Sequence, residues 1–499
     1  MENIAVEILK TFSKDELSNF REFLSSPFFN KSQKLINFFN ELIKYYPTFD
    51  SKKLTNESLC KNLSSSVEFN QMTFNNLVFD LSTTLKAYLK TLCLEKYRIE
   101  SNDLFTRELM SRKLFKLAKE NNKQMINECT SKPNVDANYY VNMFYLLTDK
   151  LNLNKITKPK SNDENVKLTV NTLIDRGKFI TFFFLTEMVR EYENILTLGK
   201  VYDTMPENNF ILDFISKTDF LSMIKIVIEN EKDKQQCEIL KIYYELLLAL
   251  SNFDNEEYYY RYKTTLLRNV SILSINEKRF HFGRLLRYCL TKNQNHQGNN
   301  KFGEELFKIY EYILKNENYV SSITNNMPVE LFRDILLHGL RLRKYNWVIS
   351  FIKKYIKCLN PDRRQNIFHY SLAEYYFNIK KFHKAKQFLS KIIFEEFIYK
   401  LDYRNLFLMI HFELEEYESA LSLIDSYIHF LRNDKTFSSD YKKRNKKFIK
   451  IVNKLILHKT SPNRLTSGFI FIDYNQDYPY KEWINEKVRE VEWKIQKAV

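Results

Sequence analysis

The sequence predicts an all-α protein, and three observations carry that expectation. Only seven glycines and nine prolines occur in 499 residues; sheets joined by tight turns draw on glycine for positive φ, whereas long helices need little of it. Apolar residues recur at helical spacing, as over 71–96, where Phe74, Leu77, Val78, Leu81, Leu85, Tyr88, Leu89 and Leu92 lie mostly on one side. No alternating period-2 run of useful length occurs before "GFIFIDY" at 468–474, which reads as a short extended piece or a packed loop.

The elements follow in order. Ser13 and Glu16 in "SKDE" read as a capping box that opens a helix carrying Leu17, Phe20 and Leu24. Pro27 closes it, because the residue before a proline is driven out of helical geometry. A second helix near 31–45 buries Leu35, Phe38, Phe39 and Leu42 and stops at Pro47. A short helix near 55–63 and the long one over 71–96 complete an N-terminal helical region, 1–100. Residues 101–165 form a helical connecting region broken at Pro133 and ending in the polar linker "TKPKSNDEN" at 157–165. The stretch 166–327 is expected to be helical hairpins, with helices near 166–198, 209–229, 234–251 and 255–291 and a polar break, "TKNQNHQGNN", at 291–300. Beyond the repeats described below, 459–499 is a C-terminal extension in which Pro479 precedes a capping helix holding Trp483, Val488, Val491 and Trp493.

Composition excludes several classes. Hydrophobic residues make up 44% and charged residues 28%, which suits a folded chain and not a disordered one. The six cysteines stand alone with no C-x-x-C pair, so neither a zinc ribbon nor a dithiol redox site is signalled, and a reducing compartment fits. "MENIAVEILKTF" lacks an apolar core and is not read as a signal peptide; "FITFFFL" at 179–185 is far too short to span a bilayer. The expected location is the cytoplasm. A net charge of +16 admits attraction to a polyanion. We read it as compositional, because Lys, Asn, Ile, Phe and Tyr, all abundant, have codons rich in A and T. The basic clusters at 341–344, 353–357 and 441–447 are read as solvated faces interleaved with acids such as "ELEEYE" at 413–418.

No motif for catalysis is found. "GNNKFGEE" at 298–305 has acids where a phosphate loop needs Lys and a hydroxyl. No H-E-x-x-H or G-x-S-x-G occurs, and His411 with Glu415 at i, i+4 lacks further metal ligands, so His411 is read as a packing residue. The expectation is a protein without catalytic, cofactor or metal residues.

Three segments align: "RKYNWVISFIKKYI" from Arg343, "KKFHKAKQFLSKII" from Lys380 and "EEYESALSLIDSYI" from Glu415, at periods of 37 and 35 residues. Each opens with two charged residues and an aromatic (Tyr345, Phe382, Tyr417), followed three places on by Val348, Ala385 or Ala420. Pairs then recur at Phe351–Ile352, Phe388–Leu389 and Leu423–Ile424. A small residue at that point lets the second helix of a hairpin approach the first closely. The pattern resembles the tetratricopeptide repeat, with a period of about 34 residues. The resemblance covers 328–430; the middle copy extends upstream through Leu372, Ala373 and Tyr376, and "NKFGEELFKIYEYIL" at 300–314 reads as a degenerate copy with Phe302 three places before Glu305. Nothing before about residue 230 matches.

The resemblance implies an α-solenoid of TPR-like hairpins over 328–458, serving as a protein–protein interaction or scaffold module. A peptide or partner helix would lie on the concave face of the first helices. The contacting positions map to Glu330 and Arg333, Tyr370 and Glu374, and Asp402 and Asn405. This set differs from the Lys/Asn/Arg set by which some members clamp a terminal carboxylate. The alternative is a nucleic-acid-associated regulator that uses helices within 55–96 or the basic cluster at 441–447, with the repeats as sensor; an enzyme with a site assembled from distant residues is the third reading.

Overall fold

A computed structural model describes residues 3–49, 59, 71–131, 135–157, 163–202, 209–295, 301–317, 326–394, 399–435, 437, 439–460 and 478–498. Among these the chain forms 22 α-helices, short 3-10 turns and no β-strand. "GFIFIDY" at 468–474 and the helix expected near 55–63, except for Leu59, lie outside the described residues; of the linker expected at 157–165 and the break at 291–300, only 158–162 and 296–300 do, while residues 157, 163–165 and 291–295 are helical and shorten both breaks. The chain divides into two compact units, 1–247 and 248–499.

The first unit contains α1 (Ile4–Lys10), α2 (Lys14–Ser25), α3 (Gln33–Leu42), α4 (Gln71–Lys96), α5 (Arg98–Ser111), α6 (Phe115–Ser131), α7 (Ala137–Thr157), α8 (Asp163–Tyr202), α9 (Phe210–Lys217) and α10 (Phe220–Asn230). The division falls inside α11 (Lys234–Ser251). Ser13 caps α2 as its spacing requires: its Oγ accepts the Glu16 N–H at 3.1 Å, and Glu16 Oε2 accepts the Ser13 N–H at 2.7 Å. Leu17, Phe20 and Leu24 of α2 then meet Leu35, Phe38 and Phe39 of α3 and the Phe74–Tyr88 stripe of α4 in one core. Phe20 sits at its centre, edge-on to Phe39 at 5.1 Å and tilted on Tyr88 at 5.4 Å.

The second unit continues with α12 (Glu256–Asn269), α13 (Ile275–Asn295), α14 (Lys301–Lys315), α15 (Val329–Arg341), α16 (Tyr345–Tyr355), α17 (Pro361–Asn378), α18 (Phe382–Leu389), α19 (Lys400–Glu413), α20 (Tyr417–Asn433), α21 (Ser439–Thr460) and α22 (Lys481–Ala498). Successive helices pair as α13 with α14, α15 with α16, α17 with α18 and α19 with α20. First helices also meet first helices, α15 on α17 and α17 on α19, while α21 packs on α20 and α22 on α21.

Two helices expected to be continuous are broken. The run expected over 209–229 divides at Thr218, because the Asp219 carboxylate accepts the Ser222 N–H at 3.1 Å and starts α10 anew. The run over 255–291 divides at 270–274, where a 3-10 turn precedes Ser274, whose Oγ accepts the Glu277 N–H at 3.2 Å. Both breaks are caps in the middle of apolar runs.

The hairpin turns have one geometry. Arg343, Lys380 and Glu415 take left-handed φ values of 56, 57 and 59°. Around each, the N–H of the next residue bonds back five residues: Lys344 to the Gly339 carbonyl at 3.0 Å, Lys381 to Tyr376 at 2.8 Å and Glu416 to His411 at 2.9 Å. The same turn occurs once more, in the first unit. Lys113 has φ 62°, and the Leu114 N–H bonds to the Leu109 carbonyl at 2.9 Å. Phe115 and Ala118 stand where Phe382 and Ala385 stand after Lys380. The turn between α5 and α6 thus shares the geometry of the three turns of the second unit, although the sequence alignment finds no match before about residue 230.

The residue five places after the left-handed one is sealed in every case: Ala118, Val348, Ala385 and Ala420 each have 0% exposure. In the first of these turns the residue whose carbonyl closes it, Gly339, lies against Val348. A Cβ on Gly339 would lie 2.8 Å from Val348 Cγ2.

Two outcomes follow from this contact. Gly339→Ala lowers stability by about 1–3 kcal/mol through overpacking, and Val348→Ala in the same chain recovers part of that loss. Denaturant titrations of both single variants and the double variant check this, and additive losses would refute the contact. Ala118→Leu and Ala385→Leu each cost more than ~1 kcal/mol for the same reason; an unchanged melting curve for Ala118→Leu would remove α5–α6 from the set.

Candidate functional site

On an α-helix, residues four apart share a face. In α17 this aligns Tyr370 with Glu374, and the pairing of first helices brings that face beside Arg333 of α15 and Asp402 of α19. Arg333 Nε donates to Asp402 Oδ2 at 2.5 Å, and its Nη1 lies 3.2 Å from Asp334 Oδ1. The guanidinium also stands over the Tyr399 ring, 5.1 Å from its centroid. Burial works against its charge, but the Asp402 carboxylate more than offsets this and holds it protonated. Arg333 and Asp402 thus link the first hairpin to the third across the second.

Glu374 lies at the middle, 1% exposed. Its Oε1 accepts two phenol hydroxyls, from Tyr370 at 2.9 Å and from Tyr480 at 2.8 Å. Burial pushes its carboxyl up to about 7; the two hydroxyls and Arg333 oppose the rise, and Asp402 adds to it. Tyr480 itself stands at a left-handed φ of 53°, just ahead of α22.

From Tyr480 the chain continues into α22, which packs on α21 and reaches the C-terminal end of α19. Trp483 Nε1 donates to Glu413 Oε1 at 2.6 Å, and its ring meets Phe412 edge-on at 5.4 Å. Lys487 Nζ reaches the same Glu413 Oε1 at 3.0 Å and Glu490 at 3.0 Å. Lys487 is buried, which disfavours its charge, but these two carboxylates hold it above its ordinary range. Lys380, at the turn of the second hairpin, lies 3.5 Å from Glu486. Ile484, Val488 and Val491 form the apolar side of α22, each buried. The side chain of Trp493 lies outside the described residues.

Of the six positions singled out from the sequence, Arg333, Tyr370, Glu374 and Asp402 thus converge on one buried polar cluster. Asn405 lies one turn further along α19 in a neighbouring network: its Nδ2 donates to Asn445 Oδ1 at 2.9 Å, and the Tyr427 hydroxyl lies 3.0 Å from its Oδ1. Glu330 is exposed at the start of α15. The sequence reading missed Tyr399, Glu413, Tyr480, Trp483 and Lys487. "YPYKEW" carried an aromatic and charged signal, but nothing local ties residue 480 to residue 374.

His411 is buried, as its packing role requires, and burial lowers its pKa while Glu416 opposes. Its partner is Glu416, whose Oε2 lies 2.6 Å from Nδ1, and not Glu415; α19 ends at Glu413, so the i, i+4 face never reaches Glu415. Lys386 binds Glu416 at 2.6 Å and ties the second hairpin to the third. Among the described residues no three His, Cys, Asp or Glu side chains gather to hold a metal, and no helix is long and apolar enough to cross a membrane. The basic cluster at 441–447 is partly committed within the chain. Lys442 donates to the Asp434 carbonyl, Lys443 lies 3.7 Å from Asp440, and Lys447 stands 5.3 Å from the Tyr478 ring centroid. Asn445 points inward.

Glu374 gives the cluster a pH dependence. The folded chain keeps this proton up to about pH 7, whereas an ordinary glutamic acid releases it near 4.5. Its stabilisation is fully present below 4.5 and is lost as the pH rises through 7, on the order of 3 kcal/mol in all. Glu374→Gln stays neutral, so its melting temperature relative to wild type rises between pH 5 and pH 8. The difference isolates Glu374 from Asp149, which burial also pushes up to about 7. A pH-independent difference would contradict the assignment.

Family models, curated proteins and solved structures give no match to this chain.

Proposed function

We propose that the second unit is a protein–protein interaction module whose hairpins form a tetratricopeptide-like array. Its binding surface is the face of the first helices, α15, α17 and α19, and its ligand is a helix or peptide of a partner protein. One observation carries this reading: the segment Tyr480–Lys487 already bonds to Glu374 on α17, to Lys380 at the turn of that same hairpin and to Glu413 at the end of α19. Polar groups fixed on two consecutive hairpins give a partner register, and the aromatic and aliphatic contacts around them give it area.

The chemistry of the cluster fits recognition better than catalysis. Each charged group in it is satisfied by another: Arg333 by Asp402, and Lys487 by Glu413 and Glu490. Glu374, the one titrating group near neutrality, is bonded on its Oε1 by two phenols whose own pKa values burial drives far up. They hold the carboxyl in place and supply no acid or base of their own.

A photoreactive amino acid at exposed Glu330 is expected to cross-link one protein partner through a single segment. The same residue at exposed Lys384, on a second helix, is expected to give no such product. Mass spectrometry of the cross-linked peptides reads both. Products at 330 that contain only nucleic acid, together with a salt-dependent mobility shift on random DNA or RNA, would overturn the reading in favour of a polyanion-binding role.

A further inference from the structure

The segment Tyr478–Val491 is placed as a ligand would be placed. Its Tyr480 hydroxyl enters the centre of the Arg333, Tyr370, Glu374 and Asp402 cluster, the positions that the repeat pattern marks for a partner. Glu413 receives two donors from it on one oxygen, the Trp483 indole at 2.6 Å and the Lys487 ammonium at 3.0 Å. Trp483 and Lys487, four apart, share one face of α22, Tyr480 stands in the turn just ahead of it, and Ile484, Val488 and Val491 form the helix's buried apolar side.

We infer that this segment is an internal ligand. It occupies the partner's place in cis, and the partner presents the same pattern: a phenol in the turn ahead of an amphipathic helix, then on the helix an indole or similar N–H donor three residues after the phenol, an ammonium seven residues after it, and aliphatic residues at the Ile484, Val488 and Val491 positions. This rests on the reading of the first-helix face as the binding surface, and it specifies what that surface accepts. The receptor side dictates the chemistry. Glu413 takes both the indole and the ammonium on one oxygen, and Glu374 takes one of its two phenols from this segment, so a ligand lacking these donors forfeits both Glu413 bonds and one of the two at Glu374. An acidic group in place of Lys487 would set like charge against Glu413 and is rejected.

Tethering explains how the cis segment wins. A covalently linked ligand acts at an effective concentration on the order of mM, so a free helix of equal intrinsic affinity cannot displace it at μM levels. A partner enters by better contacts, or when the cis contacts are weakened. The Lys380–Glu486 pair and the Trp483 and Lys487 bonds are the contacts to weaken, since they leave the receptor carboxylates intact.

The test uses the full chain and a fluorescent peptide of residues 478–499, with anisotropy as the readout. The Trp483→Ala/Lys487→Ala chain is expected to bind the peptide at least ten-fold more tightly than the wild-type chain does. A peptide carrying the same two substitutions is expected to bind neither chain. Equal affinity for both chains, or no binding to a variant whose far-UV circular dichroism matches wild type, overturns the inference. If the variant loses its fold, hydrogen exchange on the wild-type chain decides. Added peptide at mM concentration is expected to strip amide protection from 484–491, and unchanged protection overturns the inference. The outcome is separable from that of the binding reading. A partner cross-linked at position 330 with no peptide exchange would leave the face a binding surface and make 478–491 a fixed part of it.

Discussion

Everything in the second unit depends on how closely two helices of a hairpin approach just after the turn. The left-handed residue reverses the chain within three positions, and the next N–H closes back on the first helix. The side chain that follows must then be small on one helix or the other. Ala385 and Ala420 meet the requirement on the second helix, and Gly339 meets it on the first, opposite Val348. Because the approach is fixed, so is the rotation of each first helix, and with it the direction in which Tyr370, Glu374, Asp402 and Arg333 point. Polar residues on three separate helices converge without any loop to guide them.

The turn is made without glycine. Lysine, arginine and glutamate occupy the left-handed position, at a strain of roughly 1 kcal/mol each. A chain with seven glycines spends one of them, Gly339, on interhelical contact and leaves these turns strained. The long polar side chains there are not idle. Lys380 reaches Glu486, and Lys386 and Glu416 join consecutive hairpins. The +16 charge is spread in the same way, with several cations of the basic clusters bound to carbonyls, carboxylates or rings within the chain.

The fold was legible where signals were local. The capping box at Ser13 and the α4 stripe read directly, since hydrogen bonding at an N-terminus and 3.6-residue periodicity are properties of a few neighbouring residues. The breaks at Asp219 and Ser274 were missed because apolar periodicity continues across both, and a single capping oxygen outweighed it. The turn at Lys113 escaped because what it shares in sequence with the three aligned segments shrinks to Phe115 and Ala118. The convergence of Arg333, Tyr370, Glu374 and Asp402 followed from register, since each lies on a first helix. Tyr480 was illegible for the opposite reason. Its contact with Glu374 spans 106 residues, and no short-range rule connects the two.

That separation has a consequence in time. The hairpin contacts are between near neighbours in sequence and close early, whereas the bond from Tyr480 to Glu374 closes a loop of 106 residues. On a ribosome adding about 5–20 residues per second, Glu374 is made roughly 5–20 s before Tyr480. Glu413 follows Glu374 by 39 residues, so it is during the last 67 residues before Tyr480, roughly 3–13 s, that these positions stand without their cis segment and a nascent chain can be met there by another molecule.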